Sequence, residues 1–223
     1  MNSLSRVLKK SGHDIFENIV EILEISLMAS IPILPAFFVV LPIGIVYLLL
    51  LAMPCFIAAF YALRQRIDRK PFKCKLFFKG FKKYYLRSMA YGLIIALFLL
   101  IVISSWWYYL KVKTMVSFTI AMFQSYFFIM IFASQMYTVS ILVTEDISLF
   151  KSINSSIKLF LDNPGYTMGT LIQILALSVL LILTVVSVPL LFAGMVSIFS
   201  INIYDNLLLK YKEEREEQLI SQE

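Results

Sequence analysis

Four carboxylates recur near the start of the chain: Asp14, Glu17, Glu21 and Glu24. On a helix over 12–24 they share a sector about 80° wide, opposite Ile15, Phe16, Ile19, Val20, Ile22 and Leu23. Such a stripe can collect cations or protons at the mouth of a pathway, or it can face water or pair with basic residues elsewhere. Asp205, flanked by Asn202 and Asn206, has the same two readings: a group for a polar ligand, or a bridge to a basic segment. The amides Gln124, Gln135 and Gln173 stand in otherwise apolar sequence, with Ser125, Ser134, Thr138, Ser140, Ser178 and Thr184 nearby. Together with Asp205 they are the candidate lining of a polar path. Amides in such places also hydrogen-bond between helices, at about 0.6 kcal/mol each on average.

Positive charge is concentrated. Ten of the 20 Lys and Arg fall between Arg64 and Arg87, opposed there only by Asp68. Beyond Pro71, the aromatic and apolar residues Phe72, Leu76, Phe77, Phe81, Tyr84 and Tyr85 recur at helical spacing, and the lysines turn elsewhere. Lys73, Lys75, Lys79, Lys82 and Lys83 are therefore candidates for docking at a membrane surface or on a partner. A basic block between apolar stretches is expected on the cytoplasmic side, drawn to anionic phospholipid headgroups. Nucleic acid is not expected as a partner, since binding it would require the block to leave the membrane surface.

Reactive chemistry has few parts here. His13 is the only histidine, Cys55 lies in an apolar run and Cys74 in the basic block. These cannot assemble a metal cluster, and a disulfide between the two cysteines is disfavoured in a reducing cytosol. With no G-x-S-x-G, no phosphate-binding glycine loop and no paired carboxylates at membrane depth, neither an enzyme nor a cofactor is expected.

The elements that carry these residues follow from composition. Hydrophobic residues make up 60% of the chain and charged ones 15%, too few for a soluble domain. Asp, Glu, Lys and Arg are absent from 25–63, 88–110, 114–144 and 163–204. A bilayer crossing takes about 20 helical residues, so the longer stretches must each hold two. Turn signals at Pro42-Gly44 and Ser187-Val188-Pro189 divide them. The predicted architecture is an all-α polytopic membrane bundle of six transmembrane helices, at about 25–42, 45–63, 89–110, 117–140, 166–187 and 190–208, as one domain. Amphipathic surface helices at 12–24, 71–87 and 147–162 lie on the cytoplasmic face, and 210–223 is a polar tail. Trp106-Trp107-Tyr108-Tyr109 marks the opposite interface. With both termini inside, every Lys and Arg except Lys111 and Lys113 falls on the inner side.

Two segments, 71–110 and 147–187, each read as surface helix followed by span, an arrangement that fits either a duplicated half or convergent hairpins. Gly165-x-x-x-Gly169 and Ala193-x-x-x-Ser197 have the spacing of close helix contacts.

The stretch MPCFIAAFYALRQRIDRKPFKCKLFFKGFKKYYLRS resembles the signature region of YesL-like bacterial membrane proteins. Pro54, Ala58, Ala59 and Tyr61 end a span, and Phe77-Phe78-Lys79-Gly80-Phe81 is similar to that family's aromatic-basic helix. Later, TEDISLFKSINSSIKLFLDNPGYTMGTL resembles its second loop, with Asn163-Pro164 leading into a span. The layout is also similar to the membrane domain attached to some bacterial glycerophosphodiester phosphodiesterases. Two departures stand out: Tyr84 occupies a place where YesL-like proteins usually carry Asn, and their first two spans are shorter. The resemblance implies a bacterial plasma-membrane protein, sometimes encoded near carbohydrate uptake systems. The expected function is a non-catalytic accessory or regulatory component of a transport complex, possible systems being carbohydrate ABC uptake or an envelope process. The alternative is a small secondary transporter or a lipid-handling protein.

Overall fold

The computed structural model describes residues 3–67 and 74–220, and these contain helices and turns. The segments are α1 (Leu4–Glu17), α2 (Ile19–Ser30), a 3-10 turn (Leu34–Phe37), α3 (Leu41–Ile67), α4 (Cys74–Val112), α5 (Met115–Ser134), α6 (Thr138–Thr144), α7 (Leu149–Asp162), α8 (Pro164–Leu183), a π turn (Val188–Phe192) and α9 (Ala193–Ile220). Five stretches among the described residues are long and apolar enough to cross a membrane: Ile43–Ile67, Cys74–Val112, Met115–Thr144, Pro164–Leu183 and Val188–Lys212. The chain is an all-helical membrane protein.

The expected first span, 25–42, is not one helix. Pro32 and Pro35 lack the N–H groups that would bond the carbonyls of Met28 and Ile31, so α2 ends at Ser30 and the chain tightens into the 3-10 turn. Within the turn the Ala36 N–H bonds the Ile33 carbonyl, and the Pro32 carbonyl it leaves accepts from the Tyr47 hydroxyl at 2.8 Å. Contacts at both ends tie α2 to the bundle. Glu21 meets Arg66 at one end, and Ser30 donates to the Pro189 carbonyl at 3.0 Å near the start of the last long helix. The surface helix expected over 12–24 is likewise divided, with Asn18 between α1 and α2.

A second correction concerns α4. A surface helix over 71–87 followed by a separate span was expected; from Cys74 onward the structure has one uninterrupted helix of 39 residues. Positions 71–73 lie outside the described residues. No proline falls between Cys74 and Val112, and Phe77, Gly80, Tyr84, Ser88, Tyr91 and Gly92 form a continuous buried stripe that packs along α3. A Cβ at Gly80 would lie 2.6 Å from the Tyr61 ring, so glycine sets how closely the two helices approach.

Helix α3 is the centre of the bundle. Cys55, Ile57, Ala58, Ala59, Phe60, Ala62 and Leu63 are all buried, although they point to every side of the helix. Three alanines and a cysteine make it thin, which lets α2, α4, α6 and α9 pack around it. The GxxxG at Gly165 and Gly169 does not join helices this way: Gly165 meets open space and Gly169 accommodates the Leu4 side chain. The close approach is at Gly194, whose Cβ would sit 2.7 Å from Ile22 and 2.9 Å from Ser26 Oγ. Lipid-facing positions on α3, α4, α5 and α8 carry exposed large apolar side chains such as Ile43, Leu97, Leu100, Phe123, Leu180 and Leu183.

Met115–Thr144 is broken at Gln135–Tyr137 by three turn residues. Met136 bonds back to Ala133 and Thr138 to Gln135, so the Ser134 carbonyl and Tyr137 N–H lose their helical partners. One hydroxyl serves both: Ser156 Oγ on α7 donates to Ser134 O at 2.6 Å and accepts from Tyr137 N at 3.2 Å. That pins α7, an amphipathic helix found within the region expected for it, across the break. Pro164 then opens α8 at a position where its missing N–H costs nothing.

Candidate functional site

The charged side chains converge at one end of the bundle. Arg64, on the last turns of α3, places Nη1 2.6 Å and 2.8 Å from the two oxygens of Asp205 on α9. Two residues further along, Arg66 reaches Glu21 on α2 through Nε at 3.2 Å and Nη2 at 3.0 Å. Asn202 donates to Asp14 at 2.7 Å and to Ser11 at 3.2 Å, tying α9 to α1. Tyr204 donates to Glu145 at 2.7 Å. Each bond joins helices far apart in sequence, so this layer acts as a polar clamp around α3.

Asp146 is its most connected carboxylate. Lys83 lies 2.7 Å from Oδ2, while Arg87 at 3.3 Å and the Tyr84 hydroxyl at 3.2 Å both donate to Oδ1. The Lys83 hydrogen bond, aided by that from Tyr84, holds the Asp146 carboxyl below the usual carboxylate range. Asp146 sits at φ 52°, a left-handed conformation that Asp tolerates better than most residues. Tyr84, the position that departs from the YesL-like pattern, is buried against Tyr61 with ring centroids 5.8 Å apart. Sequence reasoning did not single out Glu145 and Asp146, and it carried Tyr84 only as a helix-face residue and a departure from the family pattern.

The acidic stripe is thereby dispersed. Asp14 and Glu21 are spent on Asn202 and Arg66, Glu17 meets His13 at 3.1 Å on an exposed surface, and Glu24 is exposed. Nor do the candidate path residues gather. Gln124 bonds Ser105 across the α4–α5 contact, beside Trp106, which donates to Ser125 at 2.8 Å. Gln135 sits at the α5–α6 break, accepting from Thr138 at 2.7 Å. Gln173 lies half-buried on α8 with its Oε1 lacking a partner among the described residues, and Asp205 belongs to the clamp.

The basic residues divide into two groups. Arg64, Arg66, Lys83 and Arg87 are held in ion pairs. Lys75, Lys79 and Lys82 are exposed, make no ion pair among the described residues, and share the face of α4 opposite its buried stripe. Phe78 and Leu86, also exposed, interleave with them. Lys73 lies outside the described residues.

Because α4 is continuous, its length fixes where these lysines stand. Lys75 is about 48 Å from the interfacial Trp107 along the axis, and Lys82 about 38 Å. A bilayer core is about 30 Å thick, and about 40–45 Å with headgroups. With the helix axis along the membrane normal, Lys82 falls at headgroup level and Lys75 at or beyond the headgroup rim.

One cavity, of about 220 Å³, opens between α4, α5 and α7. Its lining is almost wholly apolar, with Gln135, Ser134 and Tyr91 at one edge.

Residues 31–106 match the family described as protein of unknown function, DUF624. This is the family to which YesL-like proteins belong. The matched segment contains all of 53–88, on which the resemblance rests; the second resembling segment, 144–171, lies outside it. Comparison with curated proteins and with solved structures finds no match.

In structural terms the matched segment is α3 and most of α4, with the entry from Ile31 and the whole basic block from Arg64 to Arg87. It therefore holds the central helix, all three of the clamp's arginines and the three exposed lysines.

Proposed function

We propose that this chain is a non-catalytic integral membrane protein of a bacterial plasma membrane, acting as an accessory component of a transport system, such as carbohydrate ABC uptake, or of an envelope process. The observation that carries the reading is the division of the cations. Four are neutralised in the clamp that fixes α3, α4 and α9, while Lys75, Lys79 and Lys82 remain exposed on one face of the continuous helix α4.

A face that combines three lysines with Phe78 and Leu86 suits an acidic, partly apolar segment of another protein held near the same surface. Anionic phospholipid headgroups are its second partner, at the level of Lys82. Transport of a polar solute is the weaker reading, because Gln124, Gln135 and Asp205 are engaged at separate places.

The test is affinity purification of the full chain from native membranes in mild detergent, beside the triple variant Lys75→Glu, Lys79→Glu, Lys82→Glu. Stoichiometric recovery of transporter subunits or an envelope protein with the native chain, lost in a variant of unchanged helicity, is the expected result. Recovery of the native chain alone, or the same partner with both, would overturn the proposal.

A further inference from the structure

The cavity between α4, α5 and α7 has the shape and chemistry of a lipid site. Tyr91, Ile94 and Phe98 form one wall and Phe128 and Phe132 another, with Ile153 and Ile157 of α7 covering the end nearest the charged layer. Phe132 is 43% exposed, so the cavity opens sideways toward lipid and not to water at the end of the bundle. Its volume of about 220 Å³ is below that of a typical site for a drug-sized ligand. Apolar cavities of this order stay dry and accept hydrocarbon. The polar groups of Tyr91, Ser134 and Gln135 sit at one edge and are engaged with one another's backbone or with neighbours, which leaves little to solvate a sugar or an ion.

Helix α7 indicates which hydrocarbon. At 100° per residue its buried stripe is Leu149, Ser152, Ser156 and Phe160. Moving round the helix, Ile153 and Ile157 follow at the cavity, then Phe150 and Leu161, which are 77% and 67% exposed. Next come Lys151 and Lys158, two turns apart on one exposed stripe. The order is cavity, exposed apolar strip, cations, which is the order of an acyl chain, the glycerol region and a phosphate in one leaflet.

We propose that this crevice takes up part of one acyl chain of an anionic phospholipid from the leaflet at the charged end, the rest of the chain lying in the bilayer, with Lys151 and Lys158 at its phosphate. The inference goes beyond the proposed function, and it uses a different pair of lysines. The bound chain would fill the gap that the break at Gln135–Tyr137 leaves beside α7, so lipid occupancy and the position of α7 are coupled.

Native mass spectrometry of the full chain, exchanged between phosphatidylglycerol and phosphatidylcholine of matched chains, tests it. The native chain is expected to retain one phosphatidylglycerol in preference. Lys151→Gln with Lys158→Gln should erase that preference, by roughly fivefold per lysine, and Ile157→Trp, which fills the crevice, should lower retention of both lipids. Lys9→Gln with Lys10→Gln, exposed on α1 and outside the crevice, serves as the control that leaves the site intact. Equal retention of the two lipids by the native chain would overturn the proposal. So would selectivity that survives in Lys151→Gln/Lys158→Gln, a surface change with little bearing on folding, or that disappears in the control.

Discussion

Replacing Ser156 by alanine isolates what holds α7 to the bundle. The hydroxyl is buried, and it is the partner of two backbone groups freed by the break after α5, the Ser134 carbonyl at 2.6 Å and the Tyr137 N–H at 3.2 Å. Leaving a buried backbone group unsatisfied costs about 1–3 kcal/mol. The Tyr137 bond is long and adds little, while relaxation around the break recovers part of the loss. Hydrogen bonds measured in membrane proteins average only about 0.6 kcal/mol, with a maximum of about 1.7. Ser156→Ala should therefore cost about 1.5–2 kcal/mol, or roughly 10- to 30-fold in the folding equilibrium. Ser152 is the internal control. It is equally buried on the same helix, but its hydroxyl bonds only the Ser148 carbonyl at 3.1 Å, which already accepts the Ser152 N–H. Ser152→Ala should stay under about 0.5 kcal/mol. Reversible unfolding in mixed micelles, followed by circular dichroism, reads both. Equal losses in the two variants, or none in Ser156→Ala, would refute the claim that this hydroxyl closes the break.

Other expectations concern separate parts of the molecule. Gly194→Ala places a methyl 2.7 Å from Ile22 and should cost about 1–3 kcal/mol, whereas Gly165→Ala meets open space and should be neutral or slightly stabilising in the same assay. For Asp146, held below its ordinary pKa of 3.8 chiefly by Lys83, the contribution to stability is complete above the unfolded value and is lost as pH falls through the lower folded value. Acid unfolding of Asp146→Asn should lack that increment below about pH 4, where the native chain shows it. Cys74 is exposed and Cys55 buried, so maleimide should label Cys74 alone in the folded protein. In intact cells an impermeant maleimide should leave Cys74 unmodified, if the basic end faces the cytoplasm.

Much of this architecture was legible because bilayer burial imposes a simple rule on composition. The charge-free stretches mark the long helices, Pro164 marks the start of α8, and the aromatic run at Trp106–Tyr109 marks one interface. Pairing with the basic block was one of the readings the acidic stripe allowed, and of its four carboxylates Glu21 makes that contact, to Arg66. What the sequence did not disclose depends on neighbours. The change from Arg87 to Ser88 looks like a helix boundary, yet the buried stripe from Phe77 to Tyr91 continues through it because α3 offers one unbroken surface. The break at Gln135–Tyr137 has no proline or glycine to announce it; Ser156 and the Tyr91 hydroxyl, which donates to the Gln135 carbonyl at 3.3 Å, stabilise it from other helices. At Pro32 and Pro35 the signal was present, but a kinked span and a terminated helix share the same residues. The candidate path residues stay apart for a related reason: Gln124 lies on α5 and Gln135 just past its end, about 16 Å further along the axis.

On the proposed reading, the basic half of α4 stands out from the membrane as a helix with its lysines turned away from α3. Spin labels placed singly from Lys75 to Leu93 in vesicles, read by power saturation with a water-soluble nickel complex and with oxygen, measure depth and facing together. The account predicts nickel access at Lys75, Lys79 and Lys82, a minimum for both reagents every third or fourth residue at Phe77, Gly80, Tyr84 and Ser88, and a steady rise in oxygen access beyond Arg87. A single shallow depth throughout 75–87, with oxygen access on the lysine face, would mean that this segment lies flat on the bilayer and would contradict it.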